Sequence, residues 1–281
     1  MRKAMVAGLA LALSFGAAQA QERPPVVPIK ASKIILVGDS TTQVLSGWGG
    51  SFCATHVTSS AACVNLARGG RSTYSYRAEG SWDLALAEMK TPGFVKTYVL
   101  IQFGHNDQPG KPGRSTDLAT EFPANLRLYV KEARAAGAEP ILLTPLTRRQ
   151  FKDGKLDRDL DPWCEAIRKV AAELNVPLVD LNKRSADAVE ALGPSMSNRF
   201  AQVAPVREVS AAALTGTTIA NPTTAAATPA PQNNAAVEPL GDAKLAFDYT
   251  HLGPVGADFF SKMVVDGLAV AVPKMRPLLV P

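Results

Sequence analysis

Ser40 stands in the turn Gly38-Asp39-Ser40-Thr41, and Asp248 precedes His251 by three residues near the other end of the chain. A serine hydroxyl becomes a nucleophile only when a base takes its proton. His251 is the candidate base. Asp248, on the same turn, can hold the imidazole by accepting its second N–H. Such a trio performs acyl transfer, and the tetrahedral oxyanion of that reaction needs preorganised donors. The candidates are the Ser40 N–H, the Gly70 N–H in Arg68-Gly69-Gly70-Arg71-Ser72, and the Asn106 amide in Gly104-His105-Asn106-Asp107. Gly70 lets the backbone approach a substrate closely. Each piece alone is common, because Asp-x-x-His often opens a helix and Asn-Asp often caps one. Their joint occurrence, in this order, is specific.

Neighbouring residues bear on the same chemistry. His105 is a rival base, but only His251 has a carboxylate three residues before it; His105 is expected to line the pocket instead. Asp39 is expected to hold the turn through side-chain-to-backbone hydrogen bonds. Arg71 follows the candidate oxyanion glycine and is a candidate either to contact a substrate carboxylate, since its planar fork can donate two hydrogen bonds, or to orient the loop by pairing with an acid such as Glu79. Arg68, Arg77, Arg148, Arg149 and Lys152 are further basic candidates, with solvation or pairing to acids such as Glu79 and Asp153 as the alternative. His56 has no motif around it and is expected at the surface. No Cys/His spacing resembles a metal site, and no cofactor is implied.

The elements that must place these residues alternate. Short apolar runs at Lys33–Val37, Cys63–Leu66, Thr97–Phe103, Pro140–Leu143 and Pro177–Leu181 read as buried parallel strands. Helical patterns lie between them: Ser81 to about Met89, a helix capped by Thr120 and stopped by Gly137, Asp161 to about Leu174, and a last one from Pro254 to about Ala271. That rhythm predicts a parallel sheet of about five strands with helices on both faces. In such a sheet ligands bind beyond the carboxyl ends of the strands, where the strand order reverses. Each candidate block follows a strand or precedes the last helix.

The 281 residues include 46% hydrophobic and 20% charged side chains, with a formal charge of +5. This is globular composition, and the mild basic excess does not support nucleic-acid binding. Arg2 and Lys3, the apolar run Ala4–Phe15 and Ala18-Gln19-Ala20 predict a signal peptide over residues 1–20, cleaved near Ala20. No stretch is expected to insert stably in a membrane, so a secreted or periplasmic protein is expected. Residues 21–281 read as one domain and a monomer. Cys53 and Cys63 either close a small disulfide loop, worth up to about 3 kcal/mol, or stay buried thiols; Cys164 is left over and expected to be buried. Ala204–Glu238, rich in Ala, Thr, Pro and Asn, reads as a flexible surface insertion.

Taken together the blocks resemble those of the SGNH, or GDSL-like, hydrolase superfamily: Ser40 in GDST, Gly70 in RGGRS, Asn106 in FGHND and His251 in DYTHLG. Within it the chain is most similar to the rhamnogalacturonan acetylesterase group, on GDST, Gly47-Trp48-Gly49, the run GGRSTYSYRAEGSW from Gly69, FGHND, and Asp248-x-x-His251-Leu252. The likeness runs from about Lys33 to Leu268. It implies a flavodoxin-like three-layer α/β/α sandwich, metal-free ester hydrolysis, and removal of acetyl groups from a pectic polysaccharide. A broad-specificity lipase, arylesterase or thioesterase of the same superfamily is the second reading. A non-catalytic polysaccharide-binding protein is the third, and it would not require Ser40, Asp248 and His251 together.

Overall fold

The computed structural model describes residues 23–220, 233, 236, 240–241 and 245–281. Five runs form one parallel sheet: β1 (Ser32–Gly38), β2 (Ala61–Asn65), β3 (Thr97–Gln102), β4 (Glu139–Leu143) and β7 (Leu178–Val179). Two short strands, β5 (Phe151–Lys152) and β6 (Lys155–Leu156), make a separate antiparallel hairpin. The helices are α1 (Gly49–Thr55), α2 (Ser75–Ala78), α3 (Ser81–Met89), α4 (Glu121–Ala135), α5 (Asp161–Glu173), α6 (Leu181–Ser197), α7 (Arg207–Leu214) and α8 (Pro254–Ala271).

Successive side chains of a strand point to opposite faces, and here both faces are apolar. Ile34, Leu36, Tyr98, Leu100, Ile141 and Leu143 join one core with Phe52 of α1, Val189 of α6 and Phe260 and Val264 of α8. Ile35, Val37, Val99, Ile101 and Leu142 join the other with Trp82 of α3, Tyr129 of α4 and Ile167 of α5. The sheet is thus the middle of three layers, as a parallel sheet buried on both faces requires. Its order is β2-β1-β3-β4-β7, the doubly wound order whose direction reverses between β1 and β3. Gly38 of β1 lies opposite Gln102 of β3, so the loops carrying Ser40 and Asn106 start side by side at that reversal.

The α8 bounds match the expected helix, and α3 and α5 agree within a residue. The hairpin β5–β6, α6 and α1 were not anticipated, because their apolar patterns are short or are broken by Gly and Pro. The expected flexible insertion is ordered over its first part. Val209 and Ala213, one turn apart on α7, are buried, Val209 in a small core with Phe247 and Tyr249. Thr217 and Thr218 donate to or accept from the hairpin: Asp153 N–H to Thr217 Oγ1 (3.0 Å) and Thr218 N–H to Phe151 O (2.9 Å). The local composition is poor in large apolar residues, but partners distant in sequence supply them. The rest of that insertion (221–232, 234–235, 237–238) and the expected leader lie outside the described residues. Cys53 and Cys63 are joined in a disulfide, and Cys164 is a buried thiol. His56 is buried rather than exposed, with its ring against Val280 O (3.0 Å) and Asp258 (3.1 Å). Among the described residues no helix is long and apolar enough to cross a membrane.

Candidate active site

The turn after β1 is built by Asp39. Its buried Oδ1 accepts the Thr41 N–H (2.8 Å) and hydroxyl (2.7 Å), and its main-chain oxygen accepts the N–H groups of Thr42 and Gln43. This is the structural role expected of it. A further network lies beneath. Trp48 Nε1 donates to Gln102 Oε1 (2.9 Å), and Gln102 Nε2 donates to Thr41 Oγ1 (2.6 Å). The turn is thereby tied to the end of β3, and Ser40 is left part-exposed at its apex.

The chain returns to this point after about two hundred residues. His251 Nε2 lies 2.8 Å from Ser40 Oγ, and His251 Nδ1 lies 2.6 Å from Asp248 Oδ2. The other Asp248 oxygen accepts the N–H of Thr250 (2.7 Å) and of His251 (2.7 Å). Three residues between carboxylate and imidazole are what this closed turn needs. Burial alone would raise the Asp248 pKa. The hydrogen bond and charge of His251 and the two backbone donors outweigh it and hold it at about 2. An ionised carboxylate only accepts, so the ring proton belongs on Nδ1 and Nε2 is the acceptor for the Ser40 hydroxyl.

Two residues whose role the sequence did not reveal hold this return loop. Arg149, which the sequence offered only as a basic surface candidate, is fully buried. Its guanidinium donates to the main-chain oxygens of Asp248 (2.8 Å), His251 (2.9 Å) and Thr250 (3.4 Å), while its own N–H donates to Tyr249 O (2.8 Å). Burial pulls its pKa down to about 10, so it stays charged at neutral pH. Ser46 is the second. Its hydroxyl donates to Ser40 O (2.7 Å), and its main-chain oxygen accepts the Leu252 N–H (2.8 Å), joining the two loops directly.

The two oxyanion blocks are joined to each other. Gly70 has φ +78°, a conformation that side chains rarely adopt. Asn106 is buried, with Nδ2 donating to Arg71 O (3.0 Å) and Oδ1 accepting from Arg114 (3.2 Å). One Asn106 amide N–H is thus spent on positioning, and the second remains to be placed. Asp107 is buried and accepts from the Thr73 N–H and hydroxyl and the Thr116 hydroxyl, which cross-links the second and third blocks. Burial raises its pKa to about 7 against those donors.

His105 is buried, and its Nδ1 sits 3.5 Å from Asp39 Oδ2. Neither ring nitrogen has a hydrogen-bond partner among the described residues, and burial lowers its pKa although Asp39 opposes this. It therefore stands behind the turn and does not compete for Ser40. The basic candidates are corrected more sharply. Arg71 is not an open substrate contact: it is fully buried, donating to Glu79 (2.8 Å) and Gly69 O (2.7 Å). Its charge fixes the loop that carries Gly70. Arg77 forks onto Glu132 (2.7 and 3.0 Å), and Arg148 pairs with Asp159. Among the described residues no group of His, Cys, Asp and Glu is arranged to hold a metal.

Known proteins match this chain at several levels. The rhamnogalacturonan acetylesterase RhgT of Bacillus subtilis (strain 168) is 38% identical over 180 residues, which cover 61% of this chain and 74% of that protein. The probable rhamnogalacturonan acetylesterase YesY of the same organism is 35% identical over 162 residues, 55% of this chain and 72% of that protein. Among solved structures, the YxiM protein of Bacillus subtilis superposes with a TM-score of 0.60 at 21% identity, covering 86% of this chain and 57% of that one. That likeness bears on the fold. The model of the GDSL-like lipase/acylhydrolase family matches residues 36–202, a span that holds Ser40, Gly70 and Asn106 and ends before Asp248. On that match and on these relatives, the chain belongs to the GDSL-like lipase/acylhydrolase family.

Proposed function

We propose that this protein is a secreted serine esterase that removes O-acetyl groups from a plant cell-wall polysaccharide, pectic rhamnogalacturonan, through an acetyl-serine intermediate. The observation that carries the reading is the unbroken hydrogen-bonded chain from Ser40 through His251 to Asp248 at the sheet's reversal point. The names of the two Bacillus relatives support the substrate. The leader pattern of Arg2, Lys3 and Ala18-Gln19-Ala20 supports export, as does the Cys53–Cys63 disulfide, a bond of oxidising compartments.

Ser40 Oγ attacks the acetyl carbonyl carbon as its proton passes to His251 Nε2, and Asp248 stabilises the imidazolium. The carbonyl oxygen becomes the oxyanion, taken up by the Ser40 N–H, the Gly70 N–H and the second Asn106 amide N–H. Collapse breaks the bond to the sugar oxygen, which leaves with the proton from His251. Water then attacks the acetyl-serine with His251 again as base. Acetate departs and Ser40 regains its proton. No metal or cofactor takes part in this sequence.

The test is acetate release from acetylated rhamnogalacturonan and acetylated xylan, beside a series of p-nitrophenyl esters from acetate to octanoate. Acetate release from the pectic polymer, with acetate esters turned over faster than octanoate, is expected. Preference for octanoate with inert glycans would instead identify a broad lipase or thioesterase.

Arg149 is a positioning residue in this scheme, because it touches the catalytic turn only through main-chain oxygens. Arg149→Met strips three carbonyls of their buried donor, at about 1–3 kcal/mol for each group left unsatisfied. We expect a lowered Tm and a fall in kcat on p-nitrophenyl acetate of about 10- to 100-fold, on the scale of misplacing reacting groups by about 1 Å. KM should move little, and Arg149→Lys should recover part of kcat. A variant that loses Tm but keeps wild-type kcat at low temperature would reduce Arg149 to a purely structural part.

A further inference from the structure

A cavity of about 650 Å³ lies beside the oxyanion blocks, with Tyr74, Lys111, Arg114 and Glu121 in its lining. Two of its residues reach the proposed machinery directly. Lys111 Nζ donates to His105 O, the carbonyl of the peptide that leads into Asn106. Arg114 is buried, and its guanidinium donates to Asn106 Oδ1 (3.2 Å) and Gly70 O (3.5 Å). The cavity therefore adjoins the groups proposed to receive the oxyanion.

The chemistry of the lining selects what binds there. Tyr74 is about half exposed and offers an aromatic face to the apolar C–H face of a pyranose. Lys111 is half-buried, and among the described residues it forms no ion pair. Arg148, already neutralised by Asp159, and Arg114 add like charge around it. Among the described residues Glu121 is the one acid of the lining, and its Oε2 accepts the Asp117 N–H (3.3 Å). A partly desolvated cation that forms no ion pair of its own favours an incoming anion, with Asp39 and Asp159 only partly offsetting the two arginines in its field. Burial first, and then the two arginines, push its pKa down to about 8, which still leaves it protonated at neutral pH.

We infer that this cavity is a subsite for a uronate unit of the polymer, with Lys111 pairing the carboxylate and Tyr74 covering the ring. The inference rests on the acetylesterase reading and adds the determinant of substrate charge. It also moves that role away from Arg71, Arg77 and Arg148, whose guanidinium groups are committed within the protein.

The experiment compares acetate release from acetylated rhamnogalacturonan oligosaccharides with free uronate carboxylates and from the same oligosaccharides after methyl esterification. Wild type, Lys111→Met and Lys111→Arg are measured. In wild type, esterification should lower kcat/KM about tenfold, the scale of one charge-assisted hydrogen bond in a partly desolvated site. In Lys111→Met that difference should vanish, and Lys111→Arg should restore part of it. A wild-type enzyme indifferent to esterification overturns the inference even if no variant folds. An equal penalty in wild type and Lys111→Met overturns it as well. Acetate release that ignores the carboxylate sinks this inference alone, whereas no release from any acetylated glycan sinks the acetylesterase reading with it.

Discussion

Ser40→Ala is expected to lower kcat on p-nitrophenyl acetate by about 10⁴- to 10⁶-fold, the scale seen when a serine hydrolase loses a member of its triad. The fold should be untouched. The Ser40 side chain is part-exposed and its hydroxyl meets His251, while the turn is held by Asp39, Thr41 and Ser46 through groups the variant keeps. His251→Ala should be about as damaging. The double variant should be little worse than either, because the hydroxyl and the imidazole act as one unit. His105→Ala supplies the contrast, since that ring lies against Asp39 rather than Ser40. More than about a tenth of wild-type kcat in clean Ser40→Ala would remove Ser40 from the nucleophile's place, given that scale. A larger loss in His105→Ala than in His251→Ala would reassign the base.

The reach of the sequence can be judged residue by residue. Strands with both faces apolar, such as Ile34 to Val37 and Val99 to Ile101, are readable because a parallel sheet is covered on both sides. The Asp248-x-x-His251 pair is readable because its geometry is local: Asp248 binds the N–H groups of the two residues that position the ring. Arg149 was legible only as a charge. Its partners lie about a hundred residues away, and nothing in its neighbourhood distinguishes a buried clamp from a solvated side chain. Ser46 is a similar case, since its use depends on Leu252 arriving beside it.

Arg71 shows the converse case, a residue open to two readings of which the structure keeps the loop anchor. A basic residue beside an oxyanion glycine looks like a ligand contact. Glu79, eight residues on, takes its guanidinium, and burial then makes the pair part of the loop. The same logic misplaced α7. Its window reads as Ala-rich filler, yet Val209 and Ala213 align one turn apart, and Phe247 and Tyr249, just beside the catalytic turn, supply the cover. Tyr249 also donates its hydroxyl to Ile219 O (2.7 Å), so the ordered part of the insertion buttresses the segment that carries Asp248. Local composition measures what a segment brings to a core, and not what the rest of the chain brings to it.

Asp248→Asn should lower kcat by about 10⁴-fold with little change in KM, the scale of the same exchange in a serine protease triad. The reason is a matter of donors. Asp248 Oδ1 accepts two backbone N–H groups at 2.7 Å, which an asparagine oxygen can still accept, so the turn survives. At the other position the carboxylate oxygen that accepts from His251 Nδ1 at 2.6 Å becomes an N–H₂ group. Two donors cannot face each other, so the imidazole must carry its proton on Nε2. A protonated Nε2 cannot take the Ser40 proton, and the nucleophile stays inactive although every heavy atom remains in place. The acidity of the pair fixes the pH behaviour. Against burial, His251 and the backbone donors hold the Asp248 pKa at about 2, below its ordinary 3.8. A depressed folded-state pKa contributes stability that is present above the ordinary value and is lost as pH falls through the folded one. That contribution therefore persists down to about pH 4, fades between there and pH 2, and is absent from Asp248→Asn. Any acid limb of the wild-type rate profile above pH 4 must then come from a group other than Asp248. Retention of more than about a tenth of wild-type kcat in Asp248→Asn, with the fold intact by Tm, would show that the imidazole needs no carboxylate to set its tautomer, against the scale expected of a triad.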